Sequence, residues 1–218
     1  NYLEIYEINN PSKEYLEDIC DKRQPTLIKN QNIDNIANYD LKYLNDNYNS
    51  FELNICNTMN NNNIKLIFSN SINLFNNDVS CNYISLDNSY FMKDTTLEKT
   101  LSNVDMFYRP INTIYKEYDV ILGSKDAYTK MKSALFSRNY LMLITGSVEL
   151  SLTPPRYSTY LHTSVNYDNL EYISNIDLYD PDKDNVNNIN KVKMLKTVLK
   201  PGDIFFIPSY WYYSFKIL

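Results

Sequence analysis

Residues 199–215 read LKPGDIFFIPSYWYYSF, and this stretch constrains the fold more than any other part of the chain. The segment Pro201-Gly202-Asp203 predicts a tight turn, because Pro fixes φ and Gly tolerates a positive φ. Residues 203–208 then predict an apolar strand that ends at Pro208. A row of four aromatic residues at 210–213 opens a further predicted strand over residues 210–217. The stretch therefore predicts two consecutive strands separated by a proline break.

Patterns further upstream predict more strands and only a few helices. Ser12 predicts the N-cap of a helix over residues 13–22, and Thr95 with Glu98 predicts a capping box for a second short helix. Residues 31–50 predict a helix and a loop. Further strands are predicted at 26–28, 51–56, 64–68, 118–123, 139–144, 148–152 and 194–199. Early helices followed by strands favour a β-sandwich or barrel with N-terminal helical decoration.

Two connections stand out among the predicted strands. Thr145-Gly146-Ser147 separates the strands at 139–144 and 148–152, and this spacing predicts a hairpin. Residues 166–192 are acidic and rich in Asn, and they predict a long loop or an insertion.

Composition excludes several classes of function. The 218 residues, 44% of them hydrophobic, suit one substantial domain with a packed core. Only three glycines occur, and neither GxxxxGK[ST] nor GxGxxG is present, which argues against a phosphate-binding loop. A net charge of −5 without a basic block gives no general attraction to nucleic acid. No run of 18 apolar residues predicts a membrane span.

Cysteine and asparagine usage indicates the setting of the protein. Cys20, Cys56 and Cys81 are widely spaced without a CxxC pattern, and we expect three reduced, mostly buried thiols in an intracellular protein. One histidine and three dispersed cysteines argue against a zinc site. Asn-rich runs such as residues 60–63 are typical of AT-rich coding sequences, as in large DNA viruses, and predict surface loops. The first residue is Asn1, as in a fragment or a processed chain.

Several blocks of the sequence resemble, in the right order, the cupin-like JmjC proteins of the asparaginyl-hydroxylase type. The blocks are PTLI (25–28), TLE (96–98), NYLMLITG (139–146), LTPP (152–155), YDPD (179–182) and PGDIFFIPSYW (201–211). No single block is decisive, but the combination is fairly specific and covers most of the chain.

The resemblance implies an all-β core folded as a double-stranded β-helix, or jelly roll. It implies one domain over residues 1–218, in which residues 1–110 hold the N-terminal helices and strands and residues 111–218 hold the barrel core. Family members continue into at least one more strand. The strand that closes the barrel is therefore expected beyond Leu218 or from another chain, and an open edge could pair with a partner strand.

Members of this family bind Fe(II) through two histidines and a carboxylate, and they use 2-oxoglutarate and oxygen. The resemblance places the first histidine and the carboxylate at Ser133 and Leu135, and the second histidine at Tyr213. None of these three residues is a workable iron ligand. Residues 124–138, which allow for a shift in register, contain no histidine and one carboxylate, Asp126.

The residue expected to anchor 2-oxoglutarate is also missing. The resemblance places the basic residue that anchors oxoglutarate at Val148, whereas the pocket asparagine is retained as Asn139. The resemblance thus implies a degenerate member with no catalytic residue, no cofactor and no metal.

Two further features have a structural and a functional interpretation. His162 is the single histidine, and we interpret it as a surface or loop residue rather than a metal ligand or a general base. The aromatic run 210–213 either lines a ligand pocket or alternates between the two faces of a strand, and we favour the alternation. Inward tyrosines need hydrogen-bond partners, and Ser133 or Asn139 could supply them.

The first functional hypothesis is a catalytically inactive domain that serves as a protein-binding or structural module. Its expected partner is another protein or a second copy of the chain, with no nucleic acid and no membrane. A viral source would make it an assembly or virion component. Two alternatives stay open. One is an enzyme, either an Fe(II)/2-oxoglutarate hydroxylase with a displaced metal site or a hydrolase on the same scaffold. The other is a cupin that binds a small ligand in a cavity of roughly 300 Å³ or more.

Overall fold

The computed structural model describes residues 3–31, 36, 38–167 and 169–218. The chain divides into two compact units. The first unit comprises residues 1–31, 129–143 and 147–216, and the second comprises residues 32–128, 144–146 and 217–218. A single domain over residues 1–218 stays a prediction.

Two sheets form the first unit. The four-stranded sheet has the order β1-β2-β13-β8, with β1 parallel to β2 and the other pairs antiparallel. Its strands are β1 (Tyr6–Asn9), β2 (Thr26–Lys29), β8 (Arg138–Met142) and β13 (Ile204–Pro208). All five residues of β13 are buried, and this strand joins β2 to β8.

The six-stranded sheet of the first unit has the order β10-β11-β7-β14-β9-β12. Its strands are β7 (Lys132–Ala134), β9 (Val148–Thr153), β10 (Thr163–Asn166), β11 (Glu171–Ser174), β12 (Leu195–Leu199) and β14 (Tyr212–Ile217). A 3₁₀ helix (Pro155–Tyr160) follows β9. The expected all-β core of jelly-roll type is confirmed by these sheets and by the family match reported below.

Helix α1 (Lys13–Asp21) begins where its cap predicts, since Ser12 Oγ accepts a hydrogen bond from the Tyr15 N–H at 3.2 Å. A bidentate ion pair links Glu17 of this helix to Arg138 of β8. Cys20 Sγ lies 3.3 Å from the Tyr140 hydroxyl, and burial raises the pKa of both groups. The helix is thus fixed to the strand by two polar contacts between residues about 120 positions apart.

The predicted hairpin around residues 145–147 is wrong. Strand β8 pairs with β13, whereas β9 pairs with β12, so the two strands belong to different sheets. Beyond β8, Leu143 N donates to Asp203 O at 3.0 Å, and Gly202 N donates to Leu143 O at 2.9 Å. These bonds extend the pairing with β13. The chain then crosses from one sheet to the other through Gly146, whose φ of +78° suits Gly.

Two other local predictions are also wrong. Residues 166–192 are not one long loop, because they contain β11 and helix α6 (Val186–Ile189). The capping box at Thr95 does not form. Thr95 Oγ1 donates to Phe91 O at 2.6 Å instead, and Thr96 precedes the next helix with a φ of 60° and no side-chain cap.

The second unit combines a sheet of order β4-β3-β5-β6 with helices. Its strands are β3 (Glu52–Asn57), β4 (Asn62–Ile67), β5 (Tyr83–Ser85) and β6 (Leu122–Gly123). Its helices are α2 (Leu41–Tyr48), α3 (Phe68–Asn77), α4 (Ser89–Asp94) and α5 (Leu97–Tyr108). Leu53, Ile55, Phe68 and Phe91 are buried at its centre. The predicted strand at 118–123 is reduced to β6.

The Glu17–Arg138 pair predicts a specific pH dependence. The hydrogen bond from Arg138 lowers the pKa of Glu17 from 4.5 to about 2, against the opposing effect of burial. Because the folded-state pKa is the lower one, the stabilisation is complete above about pH 4.5 and is lost as the pH falls towards 2. We expect Glu17→Gln to lower the free energy of unfolding at neutral pH, and the difference from wild type to shrink during acidification. Urea denaturation at a series of pH values measures this difference.

Glu14→Gln is the matched control, since Glu14 lies on the same helix, is exposed and forms no ion pair with the described residues. If the difference in the free energy of unfolding between wild type and Glu17→Gln stays constant with pH, the lowered pKa of Glu17 is contradicted.

Candidate functional site

The candidate site lies on strands β7 and β14, which are neighbours in the six-stranded sheet. Tyr213 of β14 lies directly opposite Lys132 of β7 in an antiparallel register. Opposed residues in such a pair project from the same face with Cβ atoms about 4.5–5.5 Å apart. Because side chains alternate along a strand, Ala134 shares this face, whereas Ser133 projects from the other one.

Strand β11 adds a carboxylate to the face of Lys132 and Tyr213. Glu171 lies opposite Ala134, and its Oε1 accepts from Lys132 Nζ at 2.7 Å. The two side chains are only 10% and 15% exposed, respectively. This face of the sheet therefore carries a largely buried ion pair at the position opposite Tyr213.

The opposite face of the sheet has a different character. Ser133 lies opposite Tyr172, which packs against a buried apolar cluster that includes Met131 and Tyr212. Burial raises the pKa of Tyr212, while a hydrogen bond with Thr163 acts in the opposite direction. The Ser133 hydroxyl is buried and has no hydrogen-bond partner among the described residues. Of the two partners expected for an inward tyrosine, Ser133 and Asn139, Ser133 therefore forms no such bond within the described residues.

The other candidate site residues from the sequence lie on or beside different strands. Leu135 follows β7 and is half-buried, with its N–H donating to Leu170 O at 3.0 Å. Asn139 lies in β8, opposite Ile207, and thus belongs to the four-stranded sheet. Val148 begins β9 opposite Leu199. The proposed set Ser133, Leu135 and Tyr213 is not brought together, since Ser133 and Tyr213 project from opposite faces.

The sequence missed Lys132 and Glu171 as members of the site. A shift of one residue exchanges the two faces of a strand, so Lys132 and Ala134, rather than Ser133 and Leu135, share the face of Tyr213. Glu171 was hidden inside the segment that was predicted to be a loop. The signal that could have found it is the short run LEYI at residues 170–173, in which Tyr172 and Ile173 are residue types typical of strands.

The side chains on this face do not fit an iron centre. Lys132, Ala134 and Tyr213 offer an ammonium group, a methyl group and a phenol, whereas the family's facial triad needs two imidazoles and a carboxylate. Within the described ranges, no group of three or more His, Cys, Asp or Glu side chains could hold a metal ion. His162 is exposed in the turn before β10, and its Nε2 lies 3.4 Å from Asn188 Nδ2.

Two other expectations concern thiols and membranes. Cys20 is buried, but Cys56 and Cys81 are half-buried, so the prediction of mostly buried thiols holds for Cys20 alone. Across the part of the chain that the structure describes, no helix has the length and apolar character needed to cross a membrane.

The chain belongs to the cupin-like domain family, because the model of that family matches residues 11–217. It is also similar to HSPB1-associated protein 1 of Rattus norvegicus, with 24% identity over 104 residues. That alignment covers 47% of this chain and 22% of the rat protein, so the chain spans less than a quarter of that relative's length.

The Lys132–Glu171 pair predicts a strong dependence of stability on both partners. Replacing Lys132 with Met is expected to lower the free energy of unfolding by about 3 kcal/mol, because Glu171 then stays buried without its cation. The double variant Lys132→Met/Glu171→Met is expected to recover most of that loss. Urea denaturation of the wild type, both single variants and the double variant gives the coupling energy.

The Lys196–Glu149 pair between β12 and β9 is the matched control. Its atoms are 3.0 Å apart, but its side chains are 55% and 27% exposed, so Lys196→Met should cost about 0–1 kcal/mol. Equal, small losses at both pairs would show that the Lys132–Glu171 pair is solvated like a surface pair.

Proposed function

We propose that this cupin-like domain is non-catalytic and serves as a protein-binding or structural module. The observation that carries the proposal is the Lys132–Glu171 ion pair opposite Tyr213. It occupies the face of neighbouring strands on which a histidine, a carboxylate two residues later and a second histidine would have to stand. Side chains that neutralise one another have replaced side chains that would bind a cation.

Electrostatics supports the loss of metal chemistry at this face. The Lys132 ammonium repels a divalent cation, and it has no lone pair to offer one while it is protonated. A metal ion could recruit Glu171 only by displacing the Lys132 ammonium group and breaking this largely buried ion pair. The alternative of a hydroxylase with a displaced metal site has no donor cluster to support it in the described ranges.

A protein partner is favoured over a small substrate by one comparison. HSPB1-associated protein 1, the rat relative, is by its name an associate of another protein. We extend partner binding to this chain as part of the proposal. A second copy of the chain is the alternative partner, and a role in virion assembly stays a prediction.

Metal and cosubstrate binding test the proposal directly. The purified chain is titrated anaerobically with Fe(II), with and without 2-oxoglutarate, and then assayed in air for oxoglutarate turnover. We expect no saturable binding at millimolar ligand and no turnover. Stoichiometric iron, or oxoglutarate turnover that depends on added iron, would overturn the non-catalytic assignment.

The strand register predicts how a metal site could be rebuilt. The triple variant Lys132→His/Ala134→Asp/Tyr213→His places two imidazoles and a carboxylate on one face of β7 and β14. We expect it to bind Co(II) with the visible absorption of a coordinated ion, which the wild type lacks.

The matched control for this experiment is Ser133→His/Leu135→Asp/Tyr213→His, whose two histidines project from opposite faces. Near-UV circular dichroism verifies that both variants keep the native packing. Co(II) binding by the control but not by the first variant would contradict the register and return the site to Ser133 and Leu135.

A further inference from the structure

The first unit has an open cleft of about 650 Å³ that lies outside the site described above. We call it the basic cleft and define it by Lys22, Arg23, Pro25, Pro154, Arg156 and Trp211. Its three cationic side chains face one carboxylate in the lining, that of Glu4. The cleft is therefore locally positive in a chain whose net charge is −5.

The cations of the basic cleft are not neutralised by the fold. Lys22, Arg23 and Arg156 form no ion pair with any described residue. The guanidinium carbon of Arg156 lies 5.2 Å from the centroid of the Tyr157 ring. Elsewhere in the same unit, Lys29 and Arg138 do pair with carboxylates. The positive charge of the basic cleft is thus available to bind an anionic group of another molecule.

The backbone fixes the positions from which the cationic side chains project. Lys22 caps the C-terminus of α1, and Arg23 follows with a φ of 52° and an N–H that donates to Cys20 O at 3.0 Å. Glycine is the residue that this left-handed position after a helix favours. The chain has the long cationic side chain of Arg23 there instead, and a strained position kept by such a residue is consistent with a functional role of its side chain. Arg156 is carried by the 3₁₀ helix Pro155–Tyr160.

Trp211 provides the apolar part of the same cleft. Its ring is half-buried, and its indole N–H donates to none of the described residues. Pro25 and Pro154 are the buried apolar residues beside it in the lining. A guanidinium group binds a carboxylate through two parallel hydrogen bonds, and an indole N–H can donate a further one. Trp and Arg are also the residues that most often anchor protein interfaces.

We propose that the basic cleft binds an acidic peptide segment of a protein partner. Carboxylates of the segment would pair with Arg23 and Arg156, while its aliphatic side-chain carbons pack on Trp211. This inference rests on the proposed binding function and gives the chemistry of its partner. A peptide is favoured over nucleic acid because the net charge of −5 repels a long polyanion, whereas the positive charge is confined to one cleft.

Trp211 makes the cleft directly observable, since the chain contains one tryptophan. The probe is a hexaglutamate peptide with acetylated and amidated ends, and hexaglutamine is its neutral control. We expect hexaglutamate to cause a saturable change in Trp211 emission that weakens as salt rises from about 50 to about 300 mM, and hexaglutamine to cause none.

Charge reversal tests which cations are responsible. Lys22→Glu/Arg23→Glu/Arg156→Glu is expected to weaken hexaglutamate binding at least about tenfold. The matched control, Lys42→Glu/Lys65→Glu/Lys125→Glu, changes net charge equally at exposed lysines of the second unit and should weaken it less than about twofold. Arg156→Gln, a milder change on the same lining, should weaken binding about threefold and serves if the triple variant does not fold.

Three results would overturn the basic cleft as a peptide site. They are no saturable change with the wild type, equal weakening by both triple variants, and tighter binding of a single-stranded oligonucleotide or an anionic lipid vesicle at the same Trp211 signal. If hexaglutamate does not bind and iron and oxoglutarate do not bind either, only the peptide site is contradicted, and the non-catalytic assignment stands. Peptide binding together with iron-dependent turnover would instead overturn the non-catalytic assignment alone.

Discussion

Strand β13 is held on both edges by strands that lie far from it in sequence. Ile204 pairs with Ile28 of β2 on one side and with Met142 of β8 on the other. The side chains of residues 204–207 are at most 3% exposed, and each apolar side chain buried in this way stabilises the fold by about 1.5–3 kcal/mol. The N-terminal strands β1 and β2 and strand β8 from the middle of the chain are therefore joined into one sheet only when β13 is in place.

Strand register also determines which side chains lie together on one face of the six-stranded sheet. Once Tyr213 is opposite Lys132, the alternation of side chains fixes which residues share its face, and Glu171 follows from the pairing of β11 with β7. The face that Tyr213 shares with β7 holds an ammonium group and its counter-ion, Lys132 and Glu171. The basic cleft is separate from this pair, and its charges stay open to a partner.

Local patterns predicted much of the fold. Ser12 predicted the start of α1, and apolar runs predicted β2, β3, β12, β13 and β14 to within a few residues. Helix α3 was missed although Phe68, Ser71 and Phe75 are buried at helical spacing, because the surrounding asparagines suggested a loop. The hairpin at Gly146 was predicted because a Gly-containing turn between two apolar runs satisfies a local rule, but distant pairing with β13 decided the outcome.

The sequence by itself determined the cupin-like family and the all-β core. These properties follow from residue types and their order along the chain. Only the tertiary structure decided that Lys132, rather than Ser133, faces Tyr213, because register depends on hydrogen bonds between strands about 80 residues apart. It alone also brought Lys22, Arg23, Arg156 and Trp211 around one cleft, since no local pattern links the end of a helix to a turn near residue 210.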